Sequence, residues 1–208
     1  MCGRFTRNYT WEQIQALYRL TAPAAIPNLQ PRFNACPTDP ADTIVAHDGK
    51  RALVEMRWGL VPFWWSKPLK ELRFATFNAR VETVTTKPFF REPFKSKRCL
   101  MPVSGYYEWQ DTPEGKQPWY FTARDGSPVL TIAGLWDEWK NRETGERLIV
   151  CDDYHRAERI RRGSARPHAG AVEATAVRVL AERRYDGGGV EANRERLSAT
   201  MAGLQADQ

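Results

Sequence analysis

Cys2 is the residue with the most evident chemical potential, because it directly follows the initiator Met1. Aminopeptidases usually remove an initiator methionine before a small residue, and removal here would leave Cys2 with a thiol and a free α-amine. The amine of such a 1,2-aminothiol forms a Schiff base with an aldehyde, and the thiol then closes a five-membered thiazolidine ring. An α-amine, with an ordinary pKa of about 7.7–8.0, is also far more often unprotonated at neutral pH than a lysine. Cys2 is therefore a candidate nucleophile, and a buried or incidental cysteine is the alternative.

Glu108 is a candidate general acid or base, since it interrupts the apolar and aromatic run Gly105-Tyr106-Tyr107-Glu108-Trp109. In a half-buried strand, desolvation would favour the neutral carboxyl and ease proton transfer near neutral pH. The alternation of a strand could equally direct Glu108 to solvent.

Asn78 and Arg80 are candidate binding residues because they stand two apart in Phe77-Asn78-Ala79-Arg80. On an extended segment they would share a face, where an amide and a guanidinium could hold a sugar and its phosphate together. A solvated surface is the alternative for this pair.

Trp64 and Trp65 end a cluster of large apolar side chains that is followed by Lys67 and Lys70. Exposed rings beside basic side chains are typical of base stacking in a groove for single-stranded nucleic acid. Burial in the core is the alternative for the two rings.

The composition indicates one domain with a sizeable core, and the net charge suits a polyanionic partner without requiring one. The 208 residues are 42% hydrophobic and 12% aromatic, which excludes a disordered chain or a simple linker. The net charge of +6 and the pI near 9.3 suit nucleic acid. Neither a run of about 18 apolar residues nor a signal peptide is evident, so we expect no membrane contact and a cytoplasmic location. The four cysteines form no C-x-x-C pair, which indicates neither a zinc site nor a disulfide framework.

The elements that must position these residues are mostly strands. A first helix is predicted from Trp11 to Leu20, with Thr10 as its cap and Ile14, Leu17 and Tyr18 on one face, and a proline-rich loop follows. Strand-like runs lie between Gly, Pro and Asp turns, at Ala52–Trp58, Cys99–Trp109, Trp119–Ala123, Val129–Trp136 and Arg147–Val150. Thr112–Lys116 is predicted to be a hairpin loop. These runs favour an α+β fold of mainly antiparallel sheet with a few flanking helices.

The chain changes character near residue 150. Every Trp and Phe precedes that position, and from Cys151 onward the chain has no Lys, dense Arg and recurrent Ala. Such a segment has few large side chains with which to fill a core. We therefore divide the chain into a domain at 1–150 and an atypical Arg- and Ala-rich tail at 151–208.

Six segments resemble one known family. In chain order they are Met1–Phe5 (MCGRF), Arg32–Pro37 (RFNACP), Trp58–Pro62 (WGLVP), Phe77–Thr83 (FNARVET), Arg98–Leu100 (RCL) and Gly105–Trp109 (GYYEW). Their order and spacing are similar to those of the SOS response-associated peptidase (SRAP) family, the domain of abasic-site processing proteins. Cys36 departs from the pattern, because the family usually has a small apolar residue before the proline.

The resemblance implies a barrel-like, mainly antiparallel fold and a covalent reaction with DNA. It implies that Cys2, after autoproteolytic or aminopeptidase removal of Met1, forms a thiazolidine crosslink with the ring-opened aldehyde of an abasic site in single-stranded DNA. Asn78 would contact the opened sugar, and Glu108 would serve as acid and base. The remaining roles implied are phosphate binding by Arg4 and Arg80 and base stacking by Trp64 and Trp65. Neither a metal nor another cofactor is implied, and we expect a monomer associated with the nucleoid.

The tail does not match the family, which continues with a strand, a helix and a His-x-Arg-Met-Pro motif. The chain has only Arg166-Pro167-His168-Ala169 there, so the catalytic histidine is not assigned to His168. Allowed codons for residues 151–172, read one base later, can spell ATTITERNAYAAVQHARMPVLL, which contains the motif. We therefore hypothesise a shifted reading frame, which resequencing of the coding DNA around codon 150 tests. A domain without its last core elements would expose sheet edge and apolar surface.

Two other functions remain as alternatives. One is an N-terminal-nucleophile hydrolase of the glutamine amidotransferase type, because such enzymes also begin Met-Cys-Gly. The other is an inactive fragment that binds single-stranded DNA through charge and stacking, with a steep dependence on salt.

Overall fold

A computed structural model describes residues 3–155 of the chain, apart from positions 74, 81, 124, 142, 143 and 146. The side chains at 147 and 149–155 are also outside this description, as are Cys2 and the segment 156–208. Most of the tail predicted at 151–208, with its frame hypothesis, therefore lies outside the described residues. No helix among the described residues is both long and apolar enough to cross a membrane.

The described chain contains ten strands and two α-helices. In chain order they are β1 (Arg4–Arg7), α1 (Trp11–Tyr18), β2 (Arg32–Ala35), β3 (Pro40–His47), β4 (Lys50–Trp58), β5 (Asn78–Arg80), α2 (Arg91–Ser96), β6 (Arg98–Val103), β7 (Gly105–Thr112), β8 (Gly115–Phe121), β9 (Leu130–Lys140) and β10 (Arg147–His155). One turn of 3-10 helix at Leu69–Glu71 lies between β4 and β5.

The larger sheet curves into a barrel. Its strand order is β4-β3-β6-β9-β10-β5, and a further pairing of β10 with β4 joins the two sides of the five-strand series. The neighbours are antiparallel except where β10 meets β4 and β5, which it pairs in parallel. The predicted α+β fold with a mainly antiparallel, barrel-like sheet is confirmed. β10 continues to His155, so the sheet extends past the position where the composition changes.

The smaller sheet, with strand order β2-β1-β7-β8, places the first strand of the chain at its centre. β1 pairs antiparallel with β7, and Arg4 lies opposite Tyr107 while Phe5 lies opposite Tyr106. On its other side β1 pairs with β2, where Phe5 lies opposite Ala35. A bulge between Phe5 and Arg7 interrupts this second pairing, which increases the local twist of the strand.

The main core joins the two sheets. Phe5 of β1 is buried against Trp58 at the end of β4, with ring centroids 5.0 Å apart. Both belong to one apolar cluster with Met56, Met101 and Trp136 from the barrel strands. Tyr106 packs against that cluster from β7. The central strand of the small sheet is thus fixed to the barrel by the burial of large apolar side chains.

Helix α1 begins as predicted and ends earlier. Thr10 accepts a hydrogen bond from the Gln13 backbone, and the Gln13 side chain accepts one from the Thr10 backbone, which completes a capping box. Arg19 adopts a left-handed conformation at φ 53°, so the helix stops at Tyr18. Of the three residues predicted on one face of α1, Ile14 and Tyr18 are buried and Leu17 is 51% exposed. Leu17 is three residues after Ile14 and lies at the margin of the apolar stripe that Ile14 and Tyr18 form.

The sequence patterns missed some strands and merged others. The run predicted as one strand over Cys99–Trp109 is two strands, because the chain leaves the barrel at Ser104 and enters the small sheet. Ser104 marks that change by donating its N–H to the Thr6 carbonyl and accepting the Asn8 N–H on its hydroxyl. The region after α1, expected to be a proline-rich loop, holds β2 and β3. Pro40 is tolerated there because it occupies the first position of β3.

Candidate functional site

Arg4 is held on the outer face of the small sheet. Its Nη1 donates to Asn34 Oδ1 of β2 at 3.2 Å, and its guanidinium lies 5.7 Å from the centroid of the Trp109 ring of β7. A guanidinium near an aromatic ring is attracted by the ring quadrupole. Arg4 is therefore an exposed, orientated cation, which is the property that phosphate binding requires.

Glu108 lies on the opposite, inner face of the same sheet. Side chains alternate along β7, so Glu108 shares a face with Tyr106, which packs on the core. Across the hairpin Tyr106 faces Phe121 and Glu108 faces Trp119. The Glu108 side chain is half-buried. The structure thus supports the half-buried strand position that the sequence suggested, at the point where the core gives way to solvent.

Asn78 and Arg80 lie in β5 as the two outer residues of a three-residue strand, with Ala79 buried between them. The strand is anchored by its preceding residue, since the Phe77 carbonyl accepts the indole N–H of Trp58 at 3.1 Å. The Trp58 ring also lies between Phe5 and Phe77, with centroids 5.0 Å and 5.9 Å away. A single buried tryptophan therefore connects the strand that follows Cys2 in the chain with the strand that carries Asn78.

Trp64 and Trp65 have different environments. Trp65 packs in an apolar cluster with Leu60, Val61 and Trp139, and its carbonyl accepts the Trp139 indole N–H at 2.7 Å. Trp64 is 41% exposed and lies 5.4 Å from the Phe89 ring. Trp64 is thus the more available of the two for stacking on a base, while Trp65 chiefly anchors the segment.

The segment that carries Trp64 is tied to β9 by a buried carboxylate. Asp137 Oδ2 accepts the Phe63 backbone N–H at 3.1 Å, and Oδ1 accepts the Glu138 N–H at 2.9 Å and the ammonium of Lys97. Asp137 is 1% exposed. Lys97 also lies 5.4 Å from the Trp136 ring centroid. This ion pair fixes the position from which Trp64 projects.

Cys36 and Cys99 are the two cysteines whose side chains the structure describes. Cys2, the candidate nucleophile, lies outside the described residues. Cys36 and Cys99 are not in disulfides, and the Cys36 Sγ lies 3.8 Å from the Asn34 carbonyl oxygen. Within the described part of the chain, no three His, Cys, Asp or Glu side chains are grouped as a metal site would require.

Sequence reasoning missed Asn34, Trp109 and Trp119 as neighbours of the candidate residues. Asn34 and Trp109 were visible only as members of motifs, and their contacts with Arg4 depend on which strands pair. Trp119 was placed at the start of a strand, without a link to Glu108. The alternation of side chains along β7 and β8 predicts which residues share a face. The register of the hairpin decides which residues are opposite each other, and the sequence pattern does not determine it.

Comparison with known proteins assigns the family. The family model described as SOS response associated peptidase (SRAP) matches residues 1–152 of the 208-residue chain. The chain belongs to the SRAP family. This SRAP chain is 32% identical over 152 residues to "Abasic site processing protein YoqW" of Bacillus subtilis, covering 73% of this chain and 66% of that protein. It is also 32% identical over 136 residues to "Abasic site processing protein YedK" of Escherichia coli, covering 64% of this chain and 59% of that protein.

Solved structures have the same fold as the SRAP chain. A crystal structure of a protein from Bacteroides thetaiotaomicron matches with a TM-score of 0.64 and 26% identity, over 74% of this chain and 67% of that one. One from Bordetella bronchiseptica matches with a TM-score of 0.61 and 25% identity, over 74% and 71%. The SRAP chain spans just under two thirds of the curated relative from Bacillus subtilis.

Proposed function

We propose that this SRAP chain recognises abasic sites in single-stranded DNA and bonds covalently to them through Cys2. Two relatives at 32% identity are named abasic site processing proteins, which makes an abasic site the natural substrate to test. An abasic sugar in its ring-opened form carries an aldehyde, the group that a 1,2-aminothiol captures best. The family and the chemistry of the second residue thus support the same substrate.

The placement of β1 is the observation on which the proposal depends most. β1 is one of the two inner strands of the small sheet and pairs with β7, the other, with Arg4 opposite Tyr107. Glu108 is the next residue of β7. Successive Cα atoms are about 3.8 Å apart, so chain connectivity alone limits Cys2 to within about 8 Å of Arg4. This limit on the distance and the pairing of β1 with β7 support the proposal that Cys2 and Glu108 act together.

The proposed reaction begins with removal of Met1 by hydrolysis, which frees the α-amine of Cys2. The amine adds to the aldehyde carbon, and loss of one water gives a Schiff base. Addition of the thiol to the imine carbon closes the thiazolidine, with no net oxidation or reduction. Glu108 transfers the protons that ring opening and dehydration need.

The remaining candidate residues bind DNA. Arg4 is exposed and orientated by Asn34 and Trp109, so it is suited to hold a DNA phosphate. Asn78 contacts the opened sugar while Arg80, exposed two residues later, holds the next phosphate. Trp64 stacks on a base, and Trp65 keeps the segment in place.

A denaturing gel of the purified chain with single-stranded DNA that carries one abasic site tests the proposal. We expect a DNA band of reduced mobility that resists denaturation and is absent with Cys2→Ala. Glu108→Gln should form the same band more slowly, because it keeps the shape and removes the proton carrier. A matched oligonucleotide without the abasic site is the DNA control, and Cys36→Ala is the thiol control.

Three results would contradict the proposal. A band that persists with Cys2→Ala would remove Cys2 from the nucleophile role. A soluble, cooperatively folded wild-type chain that forms no band would support the inactive DNA-binding fragment. Hydrolysis of glutamine to ammonia without DNA would support the amidotransferase alternative.

A further inference from the structure

We propose that Trp119 is a stacking residue for the nucleobase next to the abasic site. The inference rests on the proposed function, because it names the group that receives a neighbour of the lesion. Trp119 is 42% exposed, although tryptophan is on average one of the more deeply buried residue types. Because Trp119 is opposite Glu108, its exposed ring can contact DNA near the sugar that reacts.

The hairpin of β7 and β8 carries three successive cross-strand pairs on its inner face. Tyr106 faces Phe121 in the core, and their rings stack with centroids 5.2 Å apart and planes 15° from parallel. The next pair outward is Glu108 with Trp119, and the third is Gln110 with Gln117. Directly opposite residues have Cβ atoms about 4.5–5.5 Å apart. Trp119 is therefore the aromatic residue directly opposite Glu108 in the hairpin, at the border of core and solvent.

The indole is orientated by its own hairpin. Trp119 Nε1 donates to Gln110 Oε1 at 2.9 Å, which uses the one polar atom of the side chain. The exposed part of the ring remains available for contact. A fixed, partly exposed ring loses little conformational entropy when a flat ligand binds to it.

The chemistry of an abasic site favours a nucleobase as the occupant. Loss of one base leaves its two neighbours with an empty place in the stack, and an aromatic side chain can fill it. Base–aromatic stacking is tolerant of sequence because every base has a π-face. With Glu108 at the reacting sugar, a ring directly across the strand pair lies within one nucleotide step of that sugar. The positive net charge of +6 suits the phosphates on either side.

Binding without covalent capture isolates this role. In a Cys2→Ala background, we would measure fluorescence anisotropy with single-stranded DNA that contains one tetrahydrofuran sugar, a stable abasic analogue, at fixed salt. Trp119→Ala should raise the Kd about 5- to 150-fold, which corresponds to the loss of one base stacked on an aromatic ring. The Kd of Trp119→Phe should stay within about 3-fold of its background. The difference should vanish on DNA whose bases on both sides of the analogue are also replaced by tetrahydrofuran.

Two further variants keep the result interpretable. Leu17→Ala removes an apolar side chain of similar exposure from α1 and should leave the Kd unchanged. Trp119→Leu retains apolar bulk without a planar face. It should therefore show the same loss of DNA binding as is expected for Trp119→Ala, and it replaces that variant if Trp119→Ala folds poorly. An unchanged Kd for folded Trp119→Ala and Trp119→Leu would overturn the inference, as would an equal loss on DNA without neighbouring bases.

The covalent assay separates this inference from the proposed function. If the wild-type chain forms the Cys2-dependent band but Trp119→Ala binds as tightly as its background, the inference alone fails. If the wild-type chain forms no band while Trp119→Ala weakens binding with the expected dependence on neighbouring bases, the stacking role stands and the covalent function fails.

Discussion

The buried pair of Asp137 and Lys97 provides the sharpest test of how the candidate site is supported. The Asp137 carboxylate is 1% exposed and the Lys97 side chain 14%. The carboxylate also accepts the backbone N–H groups of Phe63 and Glu138. Asp137→Asn would keep an oxygen for the Phe63 N–H but would leave the Lys97 ammonium without a counter-charge. Lys97→Met would leave the buried carboxylate with its two N–H donors alone.

The expected loss follows from the burial of the pair. Removal of one member of a buried ion pair lowers the unfolding free energy by about 3–5 kcal/mol, because the remaining charge is left uncompensated in a low-dielectric interior. We expect each single variant to lose about 3 kcal/mol or more of unfolding free energy. The double variant should lose less than the sum, because replacement of both charges leaves neither uncompensated. The coupling energy from the cycle should therefore be at least about 1 kcal/mol in magnitude.

Urea unfolding, followed by tryptophan fluorescence and by circular dichroism, measures these four proteins. A loss of 3 kcal/mol should also lower the Tm by about 6–12 °C for a chain of this size. Thr43, another fully buried polar residue, gives a control as Thr43→Val, which removes a neutral hydroxyl and should cost less. Losses below about 1 kcal/mol, or losses that add in the double variant, would refute the assignment of this pair as a buried electrostatic anchor.

Three other predictions concern single features. Thr10→Ala should lower the unfolding free energy by about 1 kcal/mol, because it removes half of the capping box of α1; urea midpoints measure it, and an unchanged midpoint would contradict it. Burial and the neighbouring carboxylate of Asp42 raise the pKa of Tyr9 far above its usual range. Its contribution is therefore complete below about pH 10 and falls at higher pH by about 1.4 kcal/mol per unit. Unfolding measured from pH 8 to 11 should show this slope only above about pH 10 in the wild type, and should not show it in Tyr9→Phe. Arg80→Gln, in a Cys2→Ala background, should reduce the slope of log K against log salt by about 0.7 for single-stranded DNA, and an unchanged slope would remove the phosphate contact.

Local signals in the sequence were sufficient for the local elements. The Thr10 cap and the i, i+4 spacing of Ile14 and Tyr18 predict where α1 begins and which of its residues are buried. The predicted strand over Ala52–Trp58 is confirmed and begins two residues earlier, at Lys50. There, Asp48 and Gly49 both have positive φ, as a two-residue turn between β3 and β4 requires. The strand before that turn, β3, was missed because Pro37 and Pro40 give its beginning the composition of a loop.

The site could be predicted only as a set of residues, and its geometry depended on register. Arg4 contacts residues 30 and 105 positions away in the chain, and no local pattern determines such pairs. The predicted loop over Thr112–Lys116 is in fact a two-residue turn between Thr112 and Gly115. A shift of one residue in that turn would move Trp119 away from Glu108 and to the other face of the sheet. The turn therefore decides which aromatic ring lies beside the candidate acid–base group.

The last strand, β10, is one of two supports for the strand that carries Asn78. β5 carries Asn78 and Arg80, and it pairs with β10 through Asp153, Tyr154 and His155, just beyond the end of the family match at residue 152. Strand pairing uses main-chain groups, so it tolerates side chains that differ from those of the family. Residues inside the family match also hold β5. The Trp58 indole N–H donates to the Phe77 carbonyl and the Leu60 backbone N–H donates to the Thr76 carbonyl, just before the strand. Asn78 thus keeps its place through two supports, and only one of them depends on sequence after residue 150.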